Sequence, residues 1–233
     1  MKVNVADKDK VKIEELIELQ RRISERVVLK DSLPFESIEY VAGVDQAFFK
    51  RGGDDYVVSA CVVMRFPSLN IVKEYYTVDR VTFPYIPTFL MFREGEPAVK
   101  AVKAALEGIK NVVVLVDGSG IAHPRKCGLA TYIALETGIP TIGITKRKLY
   151  GEVADPDADV SPLLDRENPN KVIGYTLKPC KRCKHIFISP GSFISPETSL
   201  RIVKACIKKG KLPEPVRLAH NVAAKAKLDY LSD

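Results

Sequence analysis

A chain of 233 residues with ordinary hydrophobic (46%) and charged (28%) content can bury a full core and has the composition of a globular protein. No apolar run approaches the ~20 residues that span a bilayer, and the first residues mix Lys and Asp with no apolar stretch. That is read as no export signal and no membrane partner, with a cytoplasmic location and a monomer expected. The formal charge of +7 suits a polyanionic partner.

From Asp9 to Val28 the apolar residues Ile13, Leu16, Ile17, Ile23 and Val27 fall at helical spacing, so an amphipathic helix is expected, ended by Ser32-Leu33-Pro34. Three strands follow, Tyr40–Phe49, Val57–Phe66 and Leu69–Val78, joined by short turns at Arg51-Gly52-Gly53-Asp54 and Pro67-Ser68. Short connections between successive strands give an antiparallel meander. Asp45 interrupts the first strand, and a charge there needs solvent, a partner or a metal.

Phe83-Pro84-Tyr85-Ile86-Pro87 breaks the pattern, because two prolines three apart stiffen an extended segment. Pro97 suits the first turn of a helix running to about Ile109, which leaves Glu94 at its mouth. Val112 to Val116 is a continuous apolar run ending in Asp117-Gly118-Ser119-Gly120. Such a run reads as a strand buried on both faces, so Asp117 is expected at its carboxyl end, where open α/β sheets bind ligands. Taken alone, each acid is better read otherwise, Asp117 as a helix cap, Asp45 as an edge-strand charge and Glu94 as a helix-dipole partner; the three together favour a metal.

Beyond it, Cys127–Thr137 reads as a helix, Pro140–Thr145 as a strand ending at Lys146, and residues 151–171 as a surface loop. Val172–Leu177 and His185–Ser189 read as a hairpin with Cys180-Lys181-Arg182-Cys183 at its tip. Ser195 and Pro196 can start a helix that Gly210 stops, and Leu212–Leu231 makes a last basic helix. Neither an internal repeat nor a linker is visible, so residues 1–233 are read as one domain. The five cysteines suggest no disulfide framework. Cys61, Cys127 and Cys206 read as core, and Cys180–Cys183 as a reduced pair or a hairpin disulfide, too few ligands for zinc with His185. The whole describes an α/β protein: an antiparallel meander plus parallel strands in one mixed sheet, flanked by helices. Asp45, Glu94 and Asp117 together offer the oxygen donors that suit Mg²⁺ or Mn²⁺.

Several segments, in order, resemble the endonuclease V family. They are Val41-Ala42-Gly43-Val44-Asp45; Tyr85-Ile86-Pro87 with Phe92-Arg93-Glu94; Asp117-Gly118-Ser119-Gly120 with His123-Pro124-Arg125 and Gly128; Pro140 to Ile144 with Lys146; Ser189-Pro190-Gly191; and Leu212 to Pro215 with Arg217-Leu218-Ala219. The resemblance implies a ribonuclease H-like fold. It implies an Mg²⁺-dependent endonuclease, with Mn²⁺ as a substitute, that recognises hypoxanthine (deoxyinosine) in DNA and nicks the second phosphodiester on its 3′ side. The alternative is an inosine-specific ribonuclease acting on RNA. It implies metal carboxylates at Asp45, Glu94 and Asp117, supporting polar groups at Lys146 and His220, and a wedge at Tyr85 within Pro84, Ile86 and Pro87. Thr88, Arg93, Gly118, Ser119, Gly120, His123, Ser189 and Gly191 are the further substrate-binding positions. His123 is left open between direct metal contact and support, and Tyr85 between wedge and core packing. The chain departs from the family pattern at Thr88, where glycine is usual, at Tyr132, at Ser192 and at the Cys180–Cys183 pair. Thr88 and Ser192 bear on the shape of the base pocket.

Overall fold

In a computed structural model describing residues 5–208 and 210–232, nine strands form one sheet in the order β3-β2-β1-β4-β5-β9-β8-β7-β6. The meander is β1 (Tyr40–Arg51), β2 (Asp54–Arg65) and β3 (Ile71–Arg80). Next to β1 comes β4 (Val112–Asp117), parallel to it, and then β5 (Thr141–Thr145), parallel to β4. The remaining strands are β6 (Glu152–Val153), β7 (Val160–Leu164), β8 (Val172–Leu177) and β9 (Ile186–Ser192), with β9 antiparallel to β5. The helices are α1 (Val5–Ser24), α2 (Leu90–Ala105), α3 (Leu129–Thr137), α4 (Pro196–Ala205) and α5 (Glu214–Ser232). Among the described residues no helix is long and apolar enough to cross a membrane.

The alternation along β4 builds two cores. Val112, Val114 and Val116 pack with Ala98, Ala101, Val102 and Ala105 of α2 and with Leu129 and Ile133 of α3. Val113 and Leu115 pack on the other side with Ile202 and Val203 of α4 and Val216 and Ala219 of α5. A strand buried on both faces must be apolar throughout, as this one is until Asp117. The approach of α5 is close: a Cβ at Gly43 would lie 2.0 Å from the Pro215 carbonyl oxygen.

Three expectations are corrected. Helix α2 starts at Leu90, not near Pro97, which lies inside it. Proline removes one intrahelical donor, but the alanine-rich face of α2 buried against the sheet holds the helix across that gap. Residues 151–171 are not all loop: β6 and β7 extend the sheet, with Leu163 fully buried. The first helix stops at Ser24, short of Val28. The Val28 amide donates to Ser192 Oγ at 2.9 Å and its carbonyl accepts from Phe193 N at 2.7 Å, which draws the chain away from the helix axis. Residues 1–4, named in the reading of the amino terminus, lie outside the described residues. Cys180 and Cys183 form a disulfide, while Cys61, Cys127 and Cys206 are free and buried.

Candidate functional site

Register brings two of the acids together. Val44 pairs with Val116 across the parallel β1–β4 ladder, so the next residues, Asp45 and Asp117, lie side by side where β4 ends. Period two puts Asp45 on the face of Val41 and Gly43, and Asp117 on that of Val113 and Leu115, both toward α5. Helix α5 supplies His220, whose Nδ1–H donates to Asp45 Oδ2 at 2.7 Å. Lys146, just past β5, donates from Nζ to Asp117 Oδ2 at 3.3 Å.

Glu94 arrives on the second turn of α2, not at its mouth. Its backbone carbonyl accepts from Gln46 Nε2 at 2.8 Å, and the Gln46 amide donates to Asp45 Oδ1 at 2.7 Å. One residue thereby ties the β1 acid to the helix bearing the third acid. Glu94 is 8% exposed. Burial pushes its carboxyl up to about 7, and the neighbouring Asp45 and Asp117 charges add to the rise while Arg93 opposes it. Asp45 is likewise raised, first by burial and then by Asp117, against the Gln46 amide and His220. Acids raised by burial and by a neighbouring carboxylate are an arrangement a cation relieves. Among the described residues no three acidic, His or Cys side chains are arranged around a single point. Few protein ligands per ion is what Mg²⁺ accepts, since it retains water and phosphate oxygens. The carboxylate oxygens of Asp45, Glu94 and Asp117 are hard donors of the kind such an ion takes one or two at a time.

Beside the acids opens a cavity of about 410 Å³, bordered by Asp117, Gly118, Ser119, Lys146, Thr88 and His123. Its size suits a single base or nucleoside. Tyr85, 66% exposed, stands on its rim with Pro87. That exposure excludes Tyr85 as a core packing residue.

The floor is a polar knot around the Thr88 carbonyl. It accepts from Arg125 Nη2 (2.8 Å), His123 Nε2 (2.9 Å) and Gln20 Nε2 (3.1 Å). Arg125 also donates to Thr88 Oγ1 and, through Nε, to Gln20 Oε1, and its guanidinium lies 4.5 Å from the Phe89 ring centre. Thr88 adopts φ +69°, a left-handed conformation that favours glycine. These donors hold it there. His123 donates from Nε2 and accepts the Arg125 amide at Nδ1, so both ring nitrogens are engaged. Burial, then the Arg125 charge, lowers its pKa to about 4, and it is neutral. Its structural part is support, which leaves no ring nitrogen for a metal.

Other expected binding positions fall away from the cavity. Ser189 Oγ accepts the Gly120 amide at 2.9 Å. A Cβ on Gly120 would meet the Pro190 carbonyl at 2.1 Å, and one on Gly191 the Thr141 hydroxyl at 2.0 Å. These three positions pack the Asp117 turn onto β9 and α3. Arg93 donates to the Phe83 carbonyl at 2.9 Å and stacks 4.4 Å from the Phe48 ring centre, bracing the wedge segment from behind. Pro84 and Ile86 face a separate hollow with Ile13 and Leu16. Ser192, bonded to Val28, is fully buried outside the cavity wall. Tyr132 packs on Gly95, where a Cβ would come within 2.5 Å of its ring. Gln20, Gln46 and Arg125 carry much of the site and were given no role from sequence. Gln20 had a signal, a polar residue on the apolar stripe of Leu16 and Ile17.

A mixed five-strand centre with one acid inside its first strand, beside an acid that ends the neighbouring parallel strand, flanked by helices on both faces, defines a ribonuclease H-like nuclease. More narrowly, the chain belongs to the endonuclease V family, whose model matches residues 21–221, and it is an endonuclease. It is 53% identical over 215 residues to endonuclease V of Archaeoglobus fulgidus, covering 92% of this chain and 93% of that one. The fold superposes on a Bacillus subtilis endonuclease V structure with a TM-score of 0.84 at 28% identity, covering 94% and 93% of the two chains. It also matches Ciona intestinalis endonuclease V in complex with a DNA containing an inosine followed by a ribo-adenosine (TM-score 0.82, 25% identity, 94% and 99% covered).

Proposed function

We propose that this chain, as one nuclease domain, hydrolyses DNA beside hypoxanthine, cutting the second phosphodiester on its 3′ side in a metal-dependent reaction that starts repair of deaminated adenine. The observation that carries the reading is the shared wall: Asp117 and Lys146 border both the acid cluster and a cavity of base size. The cut position rests on the family resemblance.

When bound, Mg²⁺ or Mn²⁺ held by Asp45, Glu94 and Asp117 would stabilise negative charge on the phosphate oxygens and lower the pKa of an attacking water. Lys146 adds a positive charge at that edge, free to move from Asp117 to a phosphate oxygen. His220 fixes the Asp45 carboxylate by its Nδ1–H bond and keeps its other nitrogen toward solvent. Tyr85, held by Pro84 and Pro87, fills the gap a departing base leaves in the stack; such stacking is worth roughly 1–3 kcal/mol, against an unstacking cost of a few kcal/mol. Gly118 and Ser119 offer backbone at the cavity wall for the base edge.

The RNA reading stands beside this one because the Ciona protein was seen with a ribonucleotide directly after inosine. The test is a panel at one salt concentration: inosine and adenine versions of duplex DNA, single-stranded DNA and single-stranded RNA. Inosine duplex DNA is expected to be cut fastest, and only with Mg²⁺ or Mn²⁺ added. Preference for inosine RNA would replace the repair assignment; equal cutting of adenine strands would remove lesion specificity.

A further inference from the structure

We infer that the tip of the β8–β9 hairpin is a second contact site for the nucleic-acid backbone, at which Lys181, Arg182 and Lys184 take phosphates several nucleotides from the cut bond. The inference rests on the proposed substrate class and extends it to a region outside the family pattern.

Topology carries the argument. In the ladders Asp117 pairs with Ile144, and Thr145 with Phe187. Leu177 at the end of β8 pairs with Ile186 at the start of β9. Residues 178–185 therefore leave the sheet at the level of Lys146, on the edge that carries Asp45 and Asp117. Between β4 and this hairpin lie two to three strand spacings, roughly 10–15 Å. At about 3.4 Å of rise per nucleotide, that is three or four nucleotides along a strand lying across the acids.

Chemistry fits the position. The tip sequence Lys178-Pro179-Cys180-Lys181-Arg182-Cys183-Lys184-His185 is dense in cations. Lys181, Arg182 and Lys184 are exposed, and among the described residues none of the three lies in an ion pair. The nearby acids sit at the hairpin's base. Asp159 pairs with Lys178 at 3.8 Å and accepts its amide through the backbone carbonyl, and His185 Nε2 donates to the Ala158 carbonyl at 3.0 Å. Asp155 turns back to accept the Asp157 amide. The base is thus anchored through Lys178 and His185, and the three outer cations face solvent. The Cys180–Cys183 disulfide, with the Cys183 amide donating to the Cys180 carbonyl, closes the turn on Lys181 and Arg182. A turn already closed loses less freedom on binding than an open loop. A turn built only to join two strands needs neither the closure nor the charge.

The test compares Lys181→Ala/Arg182→Ala/Lys184→Ala with a control of equal charge change at the opposite sheet edge, Lys103→Ala/Lys110→Ala/Lys208→Ala. Binding to inosine duplex DNA is measured across a salt series, and cleavage under saturating enzyme. The tip variant is expected to bind roughly tenfold more weakly near 0.1 M salt, with a log K–log[salt] slope shallower by about two to three, since each phosphate contact contributes about 0.9. Cleavage at saturation should match the parent. The loss should vanish on a duplex trimmed to end two nucleotides from the lesion on the side the tip reaches. An unchanged slope, or an equal loss in the control, overturns the inference. Failure of the parent to cut inosine DNA would instead overturn the nuclease reading, and the binding slopes would still decide the hairpin.

Discussion

Two polar clusters border the same cavity and are built on opposite terms. Around the Thr88 carbonyl every group is matched: three donors meet one oxygen, Arg125 engages Gln20 and Thr88 at once, and His123 is neutral with both nitrogens bonded. At the acid cluster burial and the neighbouring carboxylates raise the charge cost of Asp45 and Glu94, with Lys146 and His220 only at the margin. A matched buried network rigidifies what it touches. An unmatched one stores unfavourable energy that a cation can relieve. The knot thus holds a wedge and a cavity floor still, and the acids keep an appetite for charge beside them.

Breaking the acid cluster should have the largest effect. Asp117→Ala, or Asp45→Ala, is expected to reduce Mg²⁺-dependent cleavage by at least about a thousandfold, the scale of losing transition-state charge stabilisation. Binding of inosine duplex DNA should be largely kept. Single-turnover rates with a filter-binding Kd separate the two; a near-parental rate for Asp117→Ala would remove the metal assignment.

Breaking the knot should cost stability first. Arg125→Ala strips a donor from Thr88 and leaves the fully buried Gln20 carbonyl oxygen unmatched, a loss of about 2–4 kcal/mol. The Tyr85 segment then loses its support, and duplex binding should weaken several-fold more than single-strand binding. Arg125→Lys should not restore it, because one ammonium cannot reproduce a fork that reaches two residues. Urea melts and paired binding measurements check both parts.

What the sequence showed of these clusters follows their physics. Asp117 was legible because a run of five buried apolar residues must stop somewhere, and the stop was an acid. Asp45 was legible as a charge inside a strand. Both depend on local pattern. The start of α2 was not, since Pro97 is a strong local signal and the burial that overrides it comes from strands distant in sequence. Strands β6 and β7 were hidden by Asp, Pro and Asn, which suit turns, while the pairing that makes them strands runs from β8 to β7 and from β7 to β6. Arg125 stood in a noted motif, yet its target is the backbone carbonyl of Thr88, and a backbone atom leaves no mark in a residue pattern. The same holds for Gln46, whose partner is the Glu94 carbonyl.

The smallest expected effect sharpens the contrast from the side of stability. Glu94, raised to about 7, binds a proton in the folded, metal-free protein over a range where the unfolded chain, near its ordinary 4.5, has released it. Folding then takes up protons, so stability falls as pH rises from about 4.5 through 7. The whole shift corresponds to an upper bound of about 3 kcal/mol. Between pH 6 and pH 8 this loss runs against a gain from His123, which is neutral in the fold while the unfolded chain still binds a proton near pH 6, so the Glu94 part is read by comparison with a variant. Glu94→Gln keeps the shape and removes the charge. It should remove the Glu94 part, so that the variant loses less stability than the parent between pH 6 and pH 8 and gains about 1–2 kcal/mol at pH 8, while cleavage is lost. Added Mg²⁺ should stabilise the parent at pH 8 and leave the Gln variant nearly unmoved. No comparable gain is available in the knot, where every polar substitution removes a partner. A Glu94→Gln variant less stable than the parent at pH 8 would show that the carboxylate is already compensated without metal, and that the two clusters differ less than their contacts indicate.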